Sequence, residues 1–170
     1  RQKREKQEVD YLRTHEIPVF LNAARTYKEP KEKISKISKR PGETEKKREK
    51  PKCESTIPAL FFTAIFTGMR RGELLGLQWA DIDWVNDKIH VRRSLYKVAF
   101  QTPKSEYSKR AIDMGPRLIQ TLKEHRAKQN ETRLKVGGEW TNNDLVFSDN
   151  VGNALDADNL YHRDFKAILK

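Results

Sequence analysis

The sequence predicts an α+β domain, mostly helical, with a small three-stranded antiparallel sheet. Three observations predict it. Residues 57–66 include Leu60, Phe61, Phe62, Ile65 and Phe66, apolar almost all round, as a central helix requires. From Lys88 the apolar period changes to two, the period of a strand. From residue 116 a charged run carries Leu118, Ile119 and Leu122 at helical spacing.

The elements follow in order. Residues 1–10 are mostly charged and read as a linker, and 11–170 as one domain. Residues 14–27 read as a helix: Thr14 can cap it, Pro18 suits its first turn, and Val19, Phe20, Leu21, Ala23 and Ala24 form its apolar side. Residues 28–52 hold 11 Lys+Arg, 5 Asp+Glu and three prolines, with Ile34 and Ile37 as their large apolar side chains. Such a stretch buries too little to offset its ordering entropy, so a mobile basic loop is expected there. The central helix takes Ser55 or Thr56 as its cap and ends at Gly68. A second helix is expected over 70–79, with Leu74, Leu75 and Leu77 inward and a turn at 81–83. Three strands follow, around Ile89 and Val91, then Tyr96, Val98 and Phe100, then Arg110, Ile112 and Met114, with a turn between Pro103 and Tyr107. The long helix runs from 116 to about 135, with Leu134 as a further inward candidate, and stops at Gly137-Gly138. Leu145, Val146 and Phe147 form a short buried segment. Asp156 or Asp158 caps a last helix carrying Leu160, Phe165, Ile168 and Leu169.

Composition narrows the function. The chain has 170 residues, 35 Lys+Arg against 24 Asp+Glu, and a net charge of +11. That balance favours a polyanionic partner. No apolar run approaches the ~20 residues of a membrane helix. Cys53 is the sole cysteine, which excludes an intrachain disulfide and a Cys-based zinc site. No secretory signal is visible, and the chain reads as intracellular. It starts at Arg1, and its last helix is still running at Lys170 without a cap or stop, so it reads as a segment of a longer protein.

The stretch richest in chemistry is 67–83, Thr-Gly-Met-Arg-Arg-Gly-Glu-Leu-Leu-Gly-Leu-Gln-Trp-Ala-Asp-Ile-Asp. It puts Arg70 at a helix N-terminus, where a cation opposes the helix dipole at a cost of a few tenths of a kcal/mol. The arrangement makes sense if an anion binds there, between the guanidinium and free amides. Glu73, three residues on, can brace the guanidinium. By spacing alone, a surface arginine with a helix-pair glutamate is the favoured reading.

This run resembles the first arginine box of the tyrosine recombinase (phage integrase) family: a buried helix, T-G-x-R, then x-x-E-L-x-x-L-x-W-x-D-I-D. Residues 102–112, Thr-Pro-Lys-Ser-Glu-Tyr-Ser-Lys-Arg-Ala-Ile, resemble the family's hairpin bearing its catalytic lysine, and residues 11–24 resemble the opening helix of its catalytic domain. The resemblance covers about 10–170 except 28–52. It implies the catalytic-domain fold, DNA integration or site-specific recombination, and double-stranded DNA and other recombinase protomers as partners. It implies no membrane, no metal and no other cofactor, and a bacterial or phage-encoded protein of the cytoplasm. Carried over by position, Arg70 is the first catalytic arginine, Lys104 the catalytic lysine and Glu73 the acidic supporter. A tyrosine attacks the phosphodiester, forming a 3′-phosphotyrosyl link and freeing a 5′-hydroxyl. Arg71, Arg92, Arg93, Lys97, Lys109 and Arg110 are expected to meet DNA phosphates.

The family's second box, His-x-x-Arg, and its nucleophilic tyrosine are expected beyond Lys170, leaving this chain inactive by itself. His90-Val-Arg-Arg93 has the letter pattern but sits on a strand before the lysine hairpin. Tyr161 precedes the place of the second box and reads as a packing residue. His162-Arg-Asp164 has no other kinase motif beside it. The alternative is a non-catalytic DNA-binding or regulatory protein that keeps the recombinase scaffold. An RNA-binding module is disfavoured, since no base-stacking platform is visible.

Overall fold

The structure, a computed structural model, describes residues 12–27, 55–96, 99–101 and 110–170. The linker at 1–10, the basic stretch at 28–52, Lys97 and the segment with Lys104 and Lys109 lie outside the described residues.

Helix α1 (Glu16–Thr26) starts two residues later than Thr14 suggests, and no side-chain oxygen caps it. Instead Glu16 reaches back, and its carboxylate accepts the Arg13 N–H at 2.7 Å. Phe20 and Ala24, four residues apart, are its buried face, while Val19 points to solvent. Helix α2 (Ile57–Thr67) is the central helix, with Ile57, Ala59, Leu60, Phe61 and Thr63 buried. Ser55 Oγ accepts the Ile57 N–H at 3.1 Å. Gly68 ends the helix in the left-handed region, at φ 61°, where its N–H caps Ala64 C=O.

The second helix is shorter than expected. Helix α3 covers only Arg71–Leu75, and a 3₁₀ turn follows at Trp79–Asp81. The chain breaks at Gly76 because Gln78 leaves the helix to bridge Leu145, and Asp81 caps the next turn by accepting the Gln78 N–H at 3.0 Å. Leu74, Leu75 and Leu77 are buried as expected. Residues 81–83 are not the turn. Strand β1 (Ile82–Asp83) pairs with β2 (Lys88–Val91), and the reversal lies at 84–87.

The expected middle strand is split. Strands β3 (Ser94–Tyr96) and β4 (Ala99–Gln101) form a separate two-stranded hairpin. The three-stranded sheet is β1, β2 and β5 (Arg110–Asp113), all antiparallel, with Ile82↔Ile89 and Ile89↔Ile112 in register on the core face. Period-two spacing marks extended backbone but not which strand it pairs with.

Helix α4 (Pro116–Val136) buries Leu118, Leu122, His125 and Thr132, and Leu134 is exposed. Gly137, at φ 62°, stops it. Its buried side holds a polar network. His125 Nε2 lies 2.7 Å from Val146 O and 3.3 Å from Thr56 Oγ1. Gln129 accepts the Trp79 indole N–H at 2.7 Å and donates to Leu145 O at 3.1 Å. These bonds satisfy the Leu145 and Val146 carbonyls of the buried 145–147 segment, which has no complete strand partner.

Asp156 caps the last helical run, accepting the Asp158 and Asn159 N–H groups. That run comprises α5 (Ala157–Asn159), a π-helical stretch (Leu160–Phe165) and α6 (Lys166–Ile168). Buried Asp164 accepts the Tyr27 hydroxyl at 2.8 Å, fastening the run to the end of α1. Phe165, Phe20 and Phe61 meet with centroids 5.3–5.7 Å apart, closing the core between α1 and α2. Tyr161 is not packed inside: it is exposed and lies against Phe165.

Candidate active site

Residues 70–81 hold two buried carboxylates, Glu73 and Asp81, and each gathers arginines: Glu73 takes Arg70 and Arg110, and Asp81 takes Arg92 and Arg93 from the link between β2 and β3. Glu73 sits at the third position of α3 with its side chain 7% exposed. One oxygen, Oε2, accepts the Arg70 N–H at 2.8 Å, closing the first turn of the helix. The other, Oε1, accepts Arg70 Nη1 at 3.2 Å. Arg110, at the start of β5, meets both oxygens, Nη1 to Oε1 at 2.9 Å and Nη2 to Oε2 at 2.8 Å. This is a bidentate, charge-assisted pair. Those hydrogen bonds, Arg110's first, hold the Glu73 carboxyl down at about 2 even though burial opposes ionisation.

Arg70 is held differently. Its side chain is 77% exposed, and only Nη1 touches Glu73 among the described residues. The rest of the guanidinium faces outward from the N-terminal end of α3. Because α3 is only five residues long, the local charge here is set by the guanidinium and not by the helix dipole.

Asp81 is fully buried at the far end of the same stretch. Its Oδ2 accepts the Gln78 N–H and pairs with Arg93, and Arg92 stands 3.7 Å from Oδ1. Oδ1 has no hydrogen bond among the described residues.

The site residues expected from sequence therefore fall into groups. Arg70, Glu73 and Arg110 come together. Arg92 and Arg93 join Asp81 instead, with Arg92 54% exposed at its side chain and Arg93 largely covered. Arg71 donates from Nη1 to the Ala157 carbonyl at 3.1 Å. Lys97, Lys104 and Lys109 lie outside the described residues. Asp81 is the group that sequence reasoning missed as a partner. A carboxylate two positions after a tryptophan, followed about ten residues later by two consecutive arginines, is the signal that points to it.

The α3 helix and the β3–β4 hairpin meet closely, with only the small Ser94 side chain at the contact. A Cβ on Gly72 would come within 2.9 Å of Leu95 O, and one on Gly76 within 3.0 Å of Leu95 N. Two glycines four residues apart thus let the strand backbone lie directly on the helix. Among the described residues no group of acidic, histidine or cysteine side chains could hold a metal ion, and no helix is long and apolar enough to cross a membrane.

The chain is similar to known proteins. It is 39% identical over 129 residues to a tyrosine recombinase XerC-like protein of Caldanaerobacter subterraneus, covering 66% of this chain and 33% of that one. It is 30% identical over 125 residues to an integrase of Streptomyces ambofaciens, covering 68% of this chain and 31% of the relative. With the ICEBs1 integrase of Bacillus subtilis it shares 30% identity over 101 residues, 57% of this chain and 27% of that one. The chain thus spans about a third of the length of the curated relatives it matches. No protein-family model matches it. Its fold matches the XerA recombinase, with a TM-score of 0.60 at 19% identity over 98% of this chain and 44% of that one. It also matches the Tn1549 transposon integrase in complex with transposon right end DNA, with a TM-score of 0.55 at 16% identity over 91% and 41%. In sequence and in the architecture of its helices and small sheet, the chain belongs to the tyrosine recombinase/integrase family.

Proposed function

We propose that these 170 residues serve a site-specific DNA recombinase, an integrase of a phage or other mobile element, that breaks and rejoins strands through a 3′-phosphotyrosyl intermediate. Arg70 carries the reading. Its guanidinium is anchored at one nitrogen by a buried carboxylate and is otherwise open to solvent. A cation held this way is ready for a phosphate before the DNA arrives.

In the reaction, Arg70 donates to the non-bridging oxygens of the scissile phosphate, which gain charge in the transition state. A tyrosine oxygen forms a bond to phosphorus, and the bond from phosphorus to the 5′-oxygen breaks. Lys104 gives its proton to that departing oxygen. Glu73 stays ionised and holds Arg70 in place. The covalent link keeps the bond energy, so no nucleotide or metal is needed. The chain spans about a third of the length of its curated relatives, and on this reading the second box and the nucleophile are supplied by the full-length polypeptide. That polypeptide acts on bacterial or phage DNA in the cytoplasm, together with other protomers of its kind. The excess of basic residues, +11 overall, supports DNA as the partner.

Incubation with a nicked suicide substrate containing the element's site tests this. The full-length polypeptide should become covalently attached to DNA. The 170-residue chain should form no adduct and bind DNA weakly, with affinity falling steeply as salt rises. A full-length polypeptide that binds the site but never forms an adduct would favour the non-catalytic reading.

A further inference from the structure

Residues 94–109 contain the lysine segment, and the chain enters and leaves that segment through contacts with the arginine box. On the way in, β3 lies directly on Gly72 and Gly76. On the way out, Arg110 is the first residue of β5, and both its terminal nitrogens are on Glu73, at 2.9 and 2.8 Å. The same carboxylate holds the backbone and guanidinium of Arg70. One buried group therefore ties the phosphate-facing arginine to the strand that follows the lysine.

We propose that Arg110 is a positioning residue of the strand-cleavage reaction: through Glu73 it fixes Arg70 and the base of the lysine segment in one register, and it does not serve as a DNA-phosphate contact. The inference rests on the recombinase reading above. Its side chain is only 34% exposed, and its two terminal nitrogens already bridge a carboxylate. Giving that pair up to a phosphate would leave Glu73 buried without its main counter-charge. The remaining cation facing Glu73 among the described residues, Arg70, offers only a single side-chain bond.

The test compares the full-length recombinase with its Arg110→Gln, Arg110→Lys and Arg70→Ala variants on the suicide substrate, measuring site affinity across salt and cleavage at saturating DNA. Arg110→Gln should keep its affinity and salt slope but cleave about 10–100-fold more slowly, the usual cost of losing a group that orients a reacting one. Arg110→Lys should fall between, because an ammonium cannot bridge both oxygens in the plane of the carboxylate. Preserved site binding shows that a variant is folded, and Arg110→Lys carries the test if the glutamine variant does not fold. The cleavage rate of Arg110→Gln should also begin to fall at a higher pH than the parent's, because Glu73 loses the largest influence holding its pKa down while burial still pushes it up. A salt slope reduced by about one with saturated cleavage intact would make Arg110 a phosphate contact and overturn the proposal. Full cleavage in both Arg110 variants would overturn it as well. If Arg70→Ala cleaves like the parent, the recombinase reading itself fails, and the positioning role goes with it.

Discussion

Glu73 and Arg110 stand 37 positions apart in the chain and meet through two parallel hydrogen bonds of 2.9 and 2.8 Å. This pair joins the short helix of the arginine box to the last strand of the sheet. It also decides the charge state of the centre of the site, since Arg110 is the largest influence keeping the Glu73 carboxyl near 2.

Stability should therefore fall in acid. Glu73 has a folded pKa of about 2 against an ordinary 4.5, so the unfolded chain takes up its proton first. The contribution is complete above about pH 4.5 and is lost as pH drops toward 2. Solvent reaches both arginines, so screening leaves a loss on the order of 1 kcal/mol. Urea unfolding from pH 6 to pH 2.5 should show that loss, and Glu73→Gln should show a lower midpoint at pH 6 with a shallower acid dependence. An unchanged midpoint at pH 6 would mean the carboxylate contributes nothing.

A second pH window belongs to His125. Burial pushes its pKa below the ordinary value, the charge of Lys128 adds to that, and the bond to Val146 O opposes it. The folded state thus favours the neutral ring, and the unfolded chain binds a proton as pH falls through about 6.5. Thermal midpoints should be level above that value and decline from pH 6.5 to 5. In His125→Gln the decline should be smaller, whatever its starting midpoint.

Gly72→Ala should destabilise the chain by about 1–3 kcal/mol, the usual cost of forcing extra volume into a closed contact. The new methyl meets the Ser94 hydroxyl and, at 2.9 Å, the Leu95 carbonyl, part of a strand backbone that cannot turn aside as a long side chain would. Gly115→Ala, where a Cβ meets nothing, is the matched control. Equal midpoints for the two would show that helix and hairpin are not in close contact.

Much of this architecture was legible in the residues. The all-round apolar character of 57–66 marked the central helix, and Gly68 and Gly137 marked their stops because only a glycine takes those positive φ values at no steric cost. The arginine box was legible through its letters. What the sequence hid was pairing at a distance. Tyr96 and Phe100 share a period of two with Ile89 and Ile112, yet the former fold into their own hairpin and the latter join the sheet. In the same way, a run of arginines reads as a basic surface, whereas Arg93 and Arg110 turn inward to Asp81 and Glu73. Only the fold brings a carboxylate within reach of them. Val19 and Leu134 were misplaced for a simpler reason: each lies on the solvent side of its helix, next to the apolar stripe but not in it.

In the proposed reaction, Arg70 stabilises charge on the phosphate while Lys104 protonates the leaving oxygen. The most direct measurement is a two-by-two comparison in the full-length recombinase: Arg70→Ala and Lys104→Ala, each on a normal site and on one whose scissile 5′-bridging oxygen is replaced by sulfur. Both variants should bind the normal site and cleave it slowly, Arg70→Ala by at least the 10²–10³-fold typical of losing one such donor. A thiolate leaves without a proton, so sulfur should restore much of the rate to Lys104→Ala and little to Arg70→Ala. Equal rescue of the two variants, or no rescue of Lys104→Ala, would mean that another group protonates the leaving oxygen.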